Sequence, residues 1–401
     1  MFWCMKTDWR KVHQMRTFGK WLGRILLSLL VAAIVIGVWK KDEITRLMAV
    51  NSLFSADRIV ANFSTMDSAF LTVEVPRGSG ATTDLPYGPE TTLPDAVTGW
   101  VQDRAVTSLL VLKDGQIVFE EYYLGTTADD RRLSWSVAKS FVSALFGILL
   151  DEGAIASLDD PVTQYAPMLK GGAYDGATIR DVLQMASGVT FDEDYLDFNS
   201  DINRMGRVLA LGGRMDDFAA DLTETFVAPG QQWQYVSIDT HVIGMVIRGA
   251  TGRTIPDLLS EKVIAPLGLE QSPLYITDGA GTAFVLGGLN LTTRDYARFG
   301  QMFLQNGRYN GQQIVPADWV AASTAPSAPT KADAIGYGYQ WWVPKGAPMG
   351  EFMGRGIYGQ YVYVNQNSGV VIATTGADRN FRDDGVNDAN VAMFRTIANS
   401  L

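Results

Sequence analysis

Apolar positions run without a polar stripe from Trp21 to Trp39 in WLGRILLSLLVAAIVIGVW, where only Arg24 and Ser28 interrupt them. Nineteen helical residues reach roughly 29 Å, the thickness of a bilayer core. Beyond this span the pattern becomes that of a globular body. Residues 42–75 are partly amphipathic and predict helix. Residues 76–98, PRGSGATTDLPYGPETTLPDAVT, are rich in Gly, Pro and Thr and predict an extended wrap. TSLLVLKDGQIVFEEYYLG then predicts a hairpin turning at Lys113-Asp114-Gly115. Ser136 to Glu152 carries a dense apolar run closed by Gly153, the signature of a buried helix.

Residues 155–280 read as mainly helical. Thr178 and Asp181 have capping-box spacing, with Ser187-Gly188 as the stop, and Pro256 suits a first helical turn. Residues 290–305 and 316–324 continue the helical pattern. Strands return in YGYQWWV and in YGQYVYVNQNSGVVIATTG, whose turn is Asn365–Gly369, and Asn387–Leu401 predicts a last helix. Early and late strands around a helical middle imply an α/β (α+β) fold. One antiparallel sheet is assembled from both ends of the body and flanked by helices, with a helical lobe at about 155–280 inserted beside it. A site would lie in the cleft between the two. The implied divisions are a basic tail at 1–20, a transmembrane helix at 21–39, a linker and wrap at 40–98, and a body at 99–401.

Charge sharpens the picture. The chain carries a formal charge of -10. Residues 1–41 hold eight Lys or Arg against one acid, about +7, so the rest carries about -17. Cations before the apolar span (Lys6, Arg10, Lys11, Arg16, Lys20) hold the N-terminus in the cytoplasm and send the body outward. The expectation is a single-pass inner-membrane protein with a periplasmic body. A cleaved signal peptide is the alternative, since Ile25–Trp39 is only fifteen unbroken residues, although no small-x-small site follows. An acidic body argues against a nucleic-acid partner. There is one cysteine, Cys4, so no intrachain disulfide can form; of two histidines, only His241 is in the body. That scarcity disfavours a zinc hydrolase and leaves a Ser-His-Asp triad a single candidate base. No metal or cofactor is expected, and His241 reads as a helix residue.

The chemistry then falls to other groups. In SWSVAKS, Ser136 and Lys139 stand three positions apart, on one helix face. The helix N-terminus favours a developing alkoxide on Ser136. Lys139 accepts a proton near pH 7 only if burial brings its pKa down from about 10.4, at a cost of about 4 kcal/mol. The apolar stretch FVSALFGILL behind it makes such burial plausible. Alone, a Ser-x-x-Lys tetrad arises by chance about once in a chain this long.

Context decides more. RRLSWSVAKSFVSALFGILLDEGAIASLDDPVTQYAP and YDGATIRDVLQMASGVTFDEDY resemble the class C β-lactamase-like serine hydrolases, nearest to the 6-aminohexanoate-dimer (nylon-oligomer) hydrolases. The likeness continues through PGQQWQYVSIDTHVIGMVI, GGLNLTTRDYARFGQMF and GIYGQYVYV, over most of residues 100–375. It implies a β-lactamase/transpeptidase-like fold, with Ser136 as nucleophile, Lys139 as its base and Tyr235 of Tyr235-Val236-Ser237 as proton relay. A positive Lys139 is expected to lower the phenol's pKa. Ser237 stands where asparagine is commoner. The N–H groups of Ser136 and Ile357 would form the oxyanion hole. MGRGIYGQYVYV lacks the Lys-Thr-Gly triplet of β-lactamases and carboxypeptidases; Arg355 is the nearest substitute for its cation.

Tyr195 in FDEDYLDFNSD matches a loop tyrosine that closes over substrate, although the stretch also reads as a solvated acidic loop. Asn290 and Tyr358 complete the candidate substrate contacts. The reading is a hydrolase of a small amide or ester substrate. A β-lactamase or D-Ala-D-Ala carboxypeptidase is one alternative; a non-catalytic cell-wall peptide-binding protein is the other.

Overall fold

The computed structural model describes residues 9–401. Cys4 and Lys6 lie outside the described residues. Seven strands form the main sheet: β1 (Val106–Lys113), β2 (Gln116–Tyr122), β3 (Gly336–Tyr337), β4 (Trp342–Val343), β5 (Glu351–Gly356), β6 (Gln360–Asn365) and β7 (Val370–Gly376). Their order is β2-β1-β7-β6-β5-β4-β3, antiparallel throughout. The first hairpin therefore pairs with the last strand of the chain, closing one sheet from both ends as expected. Asp114 (φ 50°) and Gly115 (φ 83°) both take the left-handed conformation that a two-residue hairpin turn demands.

Alternation along the strands sorts the core into two layers. Leu109, Val111 and Ile372 face the helices Ala96–Asp103 and Val386–Asn399, where Trp100 and Phe394 pack edge to face. Leu110, Leu112 and Val371 face a larger core around the helix Ala138–Asp151. That helix buries twelve of its fourteen residues. Phe141 stacks on Phe299 of the helix Thr293–Leu304 with ring centroids 3.7 Å apart. Each such side chain contributes about 1.5–3 kcal/mol by leaving water.

Several expectations shift. Ser136 lies in a short 3-10 turn, Trp135–Val137, ahead of the long helix rather than inside it. The segment 42–75 is helical only in part: Thr72–Glu74 is a strand pairing with Leu274–Ile276 in a small second sheet. The helix capped by Thr178 stops at Leu183, before Ser187-Gly188, because Met185 turns the chain at φ 56°. The wrap at 76–98 covers an exposed sheet edge, exchanging hydrogen bonds with β2 through Pro86, Gly88 and Thr91.

A helix spans Trp9–Trp39, and its Phe18–Trp39 portion is long and apolar enough to cross a membrane. A second helix, Lys41–Ser52, follows and docks on the helix Asp201–Ala210, where Arg46 Nε donates to the Ala210 carbonyl at 2.9 Å.

The lobe helix Ser237–Thr251 meets residue 165 backbone to backbone: a Cβ on Gly249 would lie 1.9 Å from the Tyr165 carbonyl oxygen. Gly249→Ala is expected to lower stability by about 1–3 kcal/mol. Urea unfolding should show a lower midpoint at an unchanged slope.

Candidate active site

Ser136 sits at the junction of the short β-sheet, the buried helix and the end of β5. The preceding Trp135 holds φ 45°, a strained value for a large side chain. Ser136 stays half-buried, while Lys139, on the first turn of the helix behind it, is 1 % exposed. The Lys139 ammonium donates to the Leu286 carbonyl at 2.9 Å and lies 5.5 Å from the centre of the Tyr235 ring. Tyr235 stacks on Trp342 of β4 at 5.2 Å, and it lines the same cavity as Ser136. The structure thus brings Ser136, Lys139 and Tyr235 together.

Burial dominates the electrostatics. It draws the Lys139 pKa down to about 7, against the opposing pull of the Glu193 and Asp239 carboxylates. Tyr235 departs from expectation: its pKa is raised, first by burial and then by Glu193, while Ser136, Arg355 and Ser237 act in the opposite sense. The phenol is packed against an aromatic wall and faces an acid, so desolvation outweighs any nearby positive charge. Lysine and phenol are therefore moved toward their neutral forms.

Two carboxyl groups escaped the sequence reading. Glu193 accepts from the Ser237 backbone N–H and, at 2.9 Å, from the Tyr195 hydroxyl. Burial raises its pKa; Lys139 and these donors restrain the rise. Its signal was present but weak: Phe191, Glu193 and Tyr195 alternate with outward Asp192 and Asp194, so an extended FDEDY segment turns every second residue inward. Asp239 is fully buried and pushed up to about 8, with Tyr174 donating to one oxygen at 2.7 Å. In sequence, an acid in a first helical turn looks like an ordinary dipole partner.

The remaining candidates divide. Tyr195 lies at the site, packed against Phe381 and under the Arg382 guanidinium, which pairs with Asp194 at 3.0 Å. Ser237 is buried at the helix start and lines the cavity beside Ser136. Arg355 points into the site, 5.0 Å over the Trp342 ring. Ile357 lines the site next to Ser136, and the intervening Gly356 presses close: its Cβ, if present, would be 3.1 Å from the Ser136 nitrogen. Asn290 is not brought in; its amide donates to the Gly288 and Leu274 carbonyls within the small sheet. Tyr358 is spent in an aromatic cluster, stacked on Phe54 at 4.9 Å and packed on Phe381. His241 is buried against Asp216 at 2.7 Å. Among the described residues, no three His, Cys, Asp or Glu side chains converge as metal ligands.

Two cavities meet at Ser136. One is a vestibule in which the charged Glu193, Arg355 and Arg382 stand among the rings of Tyr195, Tyr235, Trp342 and Phe381. The other is an apolar chamber reaching back to Leu53, Phe70 and Phe284. Ser136, Tyr195 and Ile357 line both. A hydroxyl, a near-neutral amine and a phenol at the mouth of a two-sided cleft form a set suited to acyl transfer.

The family model named Beta-lactamase matches residues 95–392, about three quarters of the chain. The chain belongs to the beta-lactamase family of serine hydrolases. It is 32% identical to the 6-aminohexanoate-dimer hydrolase of Paenarthrobacter ureafaciens over 296 residues, covering 70% of this chain and 75% of that protein. It is also 28% identical to the D-aminopeptidase of Brucella anthropi over 179 residues, covering 42% of this chain and 32% of that one. A solved Bacillus anthracis structure, provisionally named a 6-aminohexanoate-dimer hydrolase, superposes with a TM-score of 0.75 at 23% identity. It covers 87% of this chain and 95% of that one, and it shows the shared fold. The fold expected from the sequence, an antiparallel sheet flanked by helices in the β-lactamase/transpeptidase manner, is the fold found.

Proposed function

We propose that this chain hydrolyses an amide or ester through an acyl-enzyme on Ser136. Lys139 takes the Ser136 proton as the oxygen attacks the carbonyl carbon. The N–H groups of Ser136 and Ile357 hold the resulting oxyanion, each worth roughly 3 kcal/mol. Tyr235 passes the proton to the departing nitrogen or oxygen, and the C–N or C–O bond breaks. Water then attacks the acyl carbon, gives its proton back through Tyr235 and Lys139, and releases Ser136. Tyr195, Ser237 and Arg355 contact the substrate. The buried Lys139, near-neutral at about pH 7 and one turn from a half-exposed serine, is the observation that carries this reading.

The relative named for the 6-aminohexanoate dimer favours an aliphatic amide. The absence of Lys-Thr-Gly beside Arg355 disfavours a β-lactamase, and nitrocefin turnover would reverse that preference. The apolar N-terminal helix, flanked by cations, anchors the body at the outer face of the inner membrane. A fluorophosphonate probe followed by peptide mass spectrometry tests the core claim. Ser136 should carry the label and Ser136→Ala should lose it; labelling elsewhere would defeat the reading.

Proton inventory supplies a second check. A depressed lysine is active once deprotonated, so kcat/KM should rise through an acid limb near pH 7. Glu193 holds the Lys139 pKa up, and removing its charge lets that pKa fall. Glu193→Gln should therefore move the acid limb to lower pH. An unmoved limb would place the titrating group elsewhere.

A further inference from the structure

The apolar chamber behind Ser136 is a poor match for a polar substrate. Leu53, Met66, Met205, Leu209, Phe284 and Leu286 line it, each less than one-tenth exposed. About 110 Å³ remains for the centre of a water-sized sphere. One water needs about 10–15 Å³ on that measure, so the chamber has room for several waters or an aliphatic chain of several carbons. A chamber with so apolar a lining gives water few partners and favours hydrocarbon.

Its position is equally informative. Val50, Leu53 and Phe54 close one wall, and they belong to or directly follow the helix Lys41–Ser52. That helix is separated only by Lys40 from the helix able to cross a membrane. A further part of the wall comes from the helix Asp201–Ala210, on which the first part docks through Arg46. The hydrocarbon chamber and its membrane-leading wall thus meet the serine on one side. The charged groups Glu193, Arg355 and Arg382 line the second cavity that Ser136 borders.

We infer that the substrate is an aliphatic acyl ester or amide whose hydrocarbon chain lies in this chamber. Its polar portion lies toward Glu193, Arg355 and Arg382. Hydrolysis consumes one water and yields the aliphatic acid with the freed alcohol or amine. This inference rests on the proposed acyl-enzyme and narrows its substrate class. The chain arrives either from the bilayer beside the anchor or from a dispersed molecule; both present the same chemistry to the chamber.

The test uses the full chain in phospholipid nanodiscs, with p-nitrophenyl acetate and p-nitrophenyl octanoate as probes. Burial of methylenes is worth several-fold each, so kcat/KM should rise at least tenfold from acetate to octanoate. Leu209→Trp fills the chamber and should lower the octanoate-to-acetate ratio at least tenfold. Met205→Trp serves should the first variant fail to fold, with fluorophosphonate labelling of Ser136 reporting an intact site. Release of octanoate from a dioctanoyl phospholipid doped into the disc would assign the bilayer as source. Turnover of the dispersed ester alone would assign a soluble one, and both results support the chamber's role. Octanoate no faster than acetate, in a protein that still hydrolyses acetate through Ser136, would overturn the inference and leave the hydrolase reading standing. Absence of any label on Ser136 would instead remove the hydrolase reading.

Discussion

Lys139→Met lowers kcat/KM by about 10⁴-fold or more, and it does so without unfolding the protein. The rate loss follows from the proposed role: without a base, Ser136 attacks as an alcohol, and the loss exceeds the 10²–10⁴ typical of one general base because nucleophile and base act as a unit. The stability result has a separate origin. The folded Lys139 has a pKa of about 7, below its unfolded value of about 10.4. Below pH 7 both states hold the proton, but the folded chain holds that charge in a dry site, so the lysine costs the fold about 4–5 kcal/mol. That cost shrinks as pH rises from about 7 toward 10.4. Methionine removes it but leaves the Leu286 carbonyl without its donor, a loss of about 1–3 kcal/mol. Thermal unfolding should therefore place the variant at or above the parent near pH 6 and lose that margin by pH 10. Activity within tenfold of the parent would show that a different group takes the proton.

The same burial explains what could be read from the chain. Alternation and turn chemistry exposed the β1–β2 hairpin, because Asp114-Gly115 can hardly serve anything else between two apolar runs. The run behind Lys139 announced a buried helix, and with it a lysine in a dry place. Glu193 and Asp239 were not legible in this way. An acid on an extended segment or in a first helical turn has the same local grammar whether it meets water or a lysine. Only tertiary placement carries Glu193 from residue 193 to the Ser237 amide, 44 positions along the chain. Asn290 shows the converse. Its segment resembles that of the relatives, yet its side chain is consumed by carbonyls of its own sheet. The apolar chamber depends on Leu53, Leu209 and Phe284, which come from three distant segments and share no pattern.

Gly356→Ala provides the sharpest probe of the proposed oxyanion site. Gly356 takes φ -119° and ψ 161°, an extended conformation that alanine adopts freely, so no backbone strain attends the change. The added methyl, however, would stand 2.6 Å from the Ser134 carbonyl oxygen, 3.0 Å from Trp135 Cβ and 3.1 Å from the Ser136 nitrogen. Two of these neighbours are backbone atoms of the turn that presents Ser136. Trp135 already holds a positive φ and has little latitude to move. The strand β5 must then draw back from the turn, separating the Ile357 N–H from that of Ser136. A shift of a few tenths of an ångström weakens hydrogen bonds to an oxyanion more than it weakens ground-state binding. The expected result is a 10²–10³-fold fall in kcat with KM changed severalfold at most, and a loss of stability of about 1–3 kcal/mol. Fluorophosphonate labelling should slow in parallel, because its phosphoryl oxygen uses the same donors. A variant that loses stability but keeps its kcat would mean that the β5 end contributes packing alone, and that the oxyanion is held by groups other than Ser136 and Ile357.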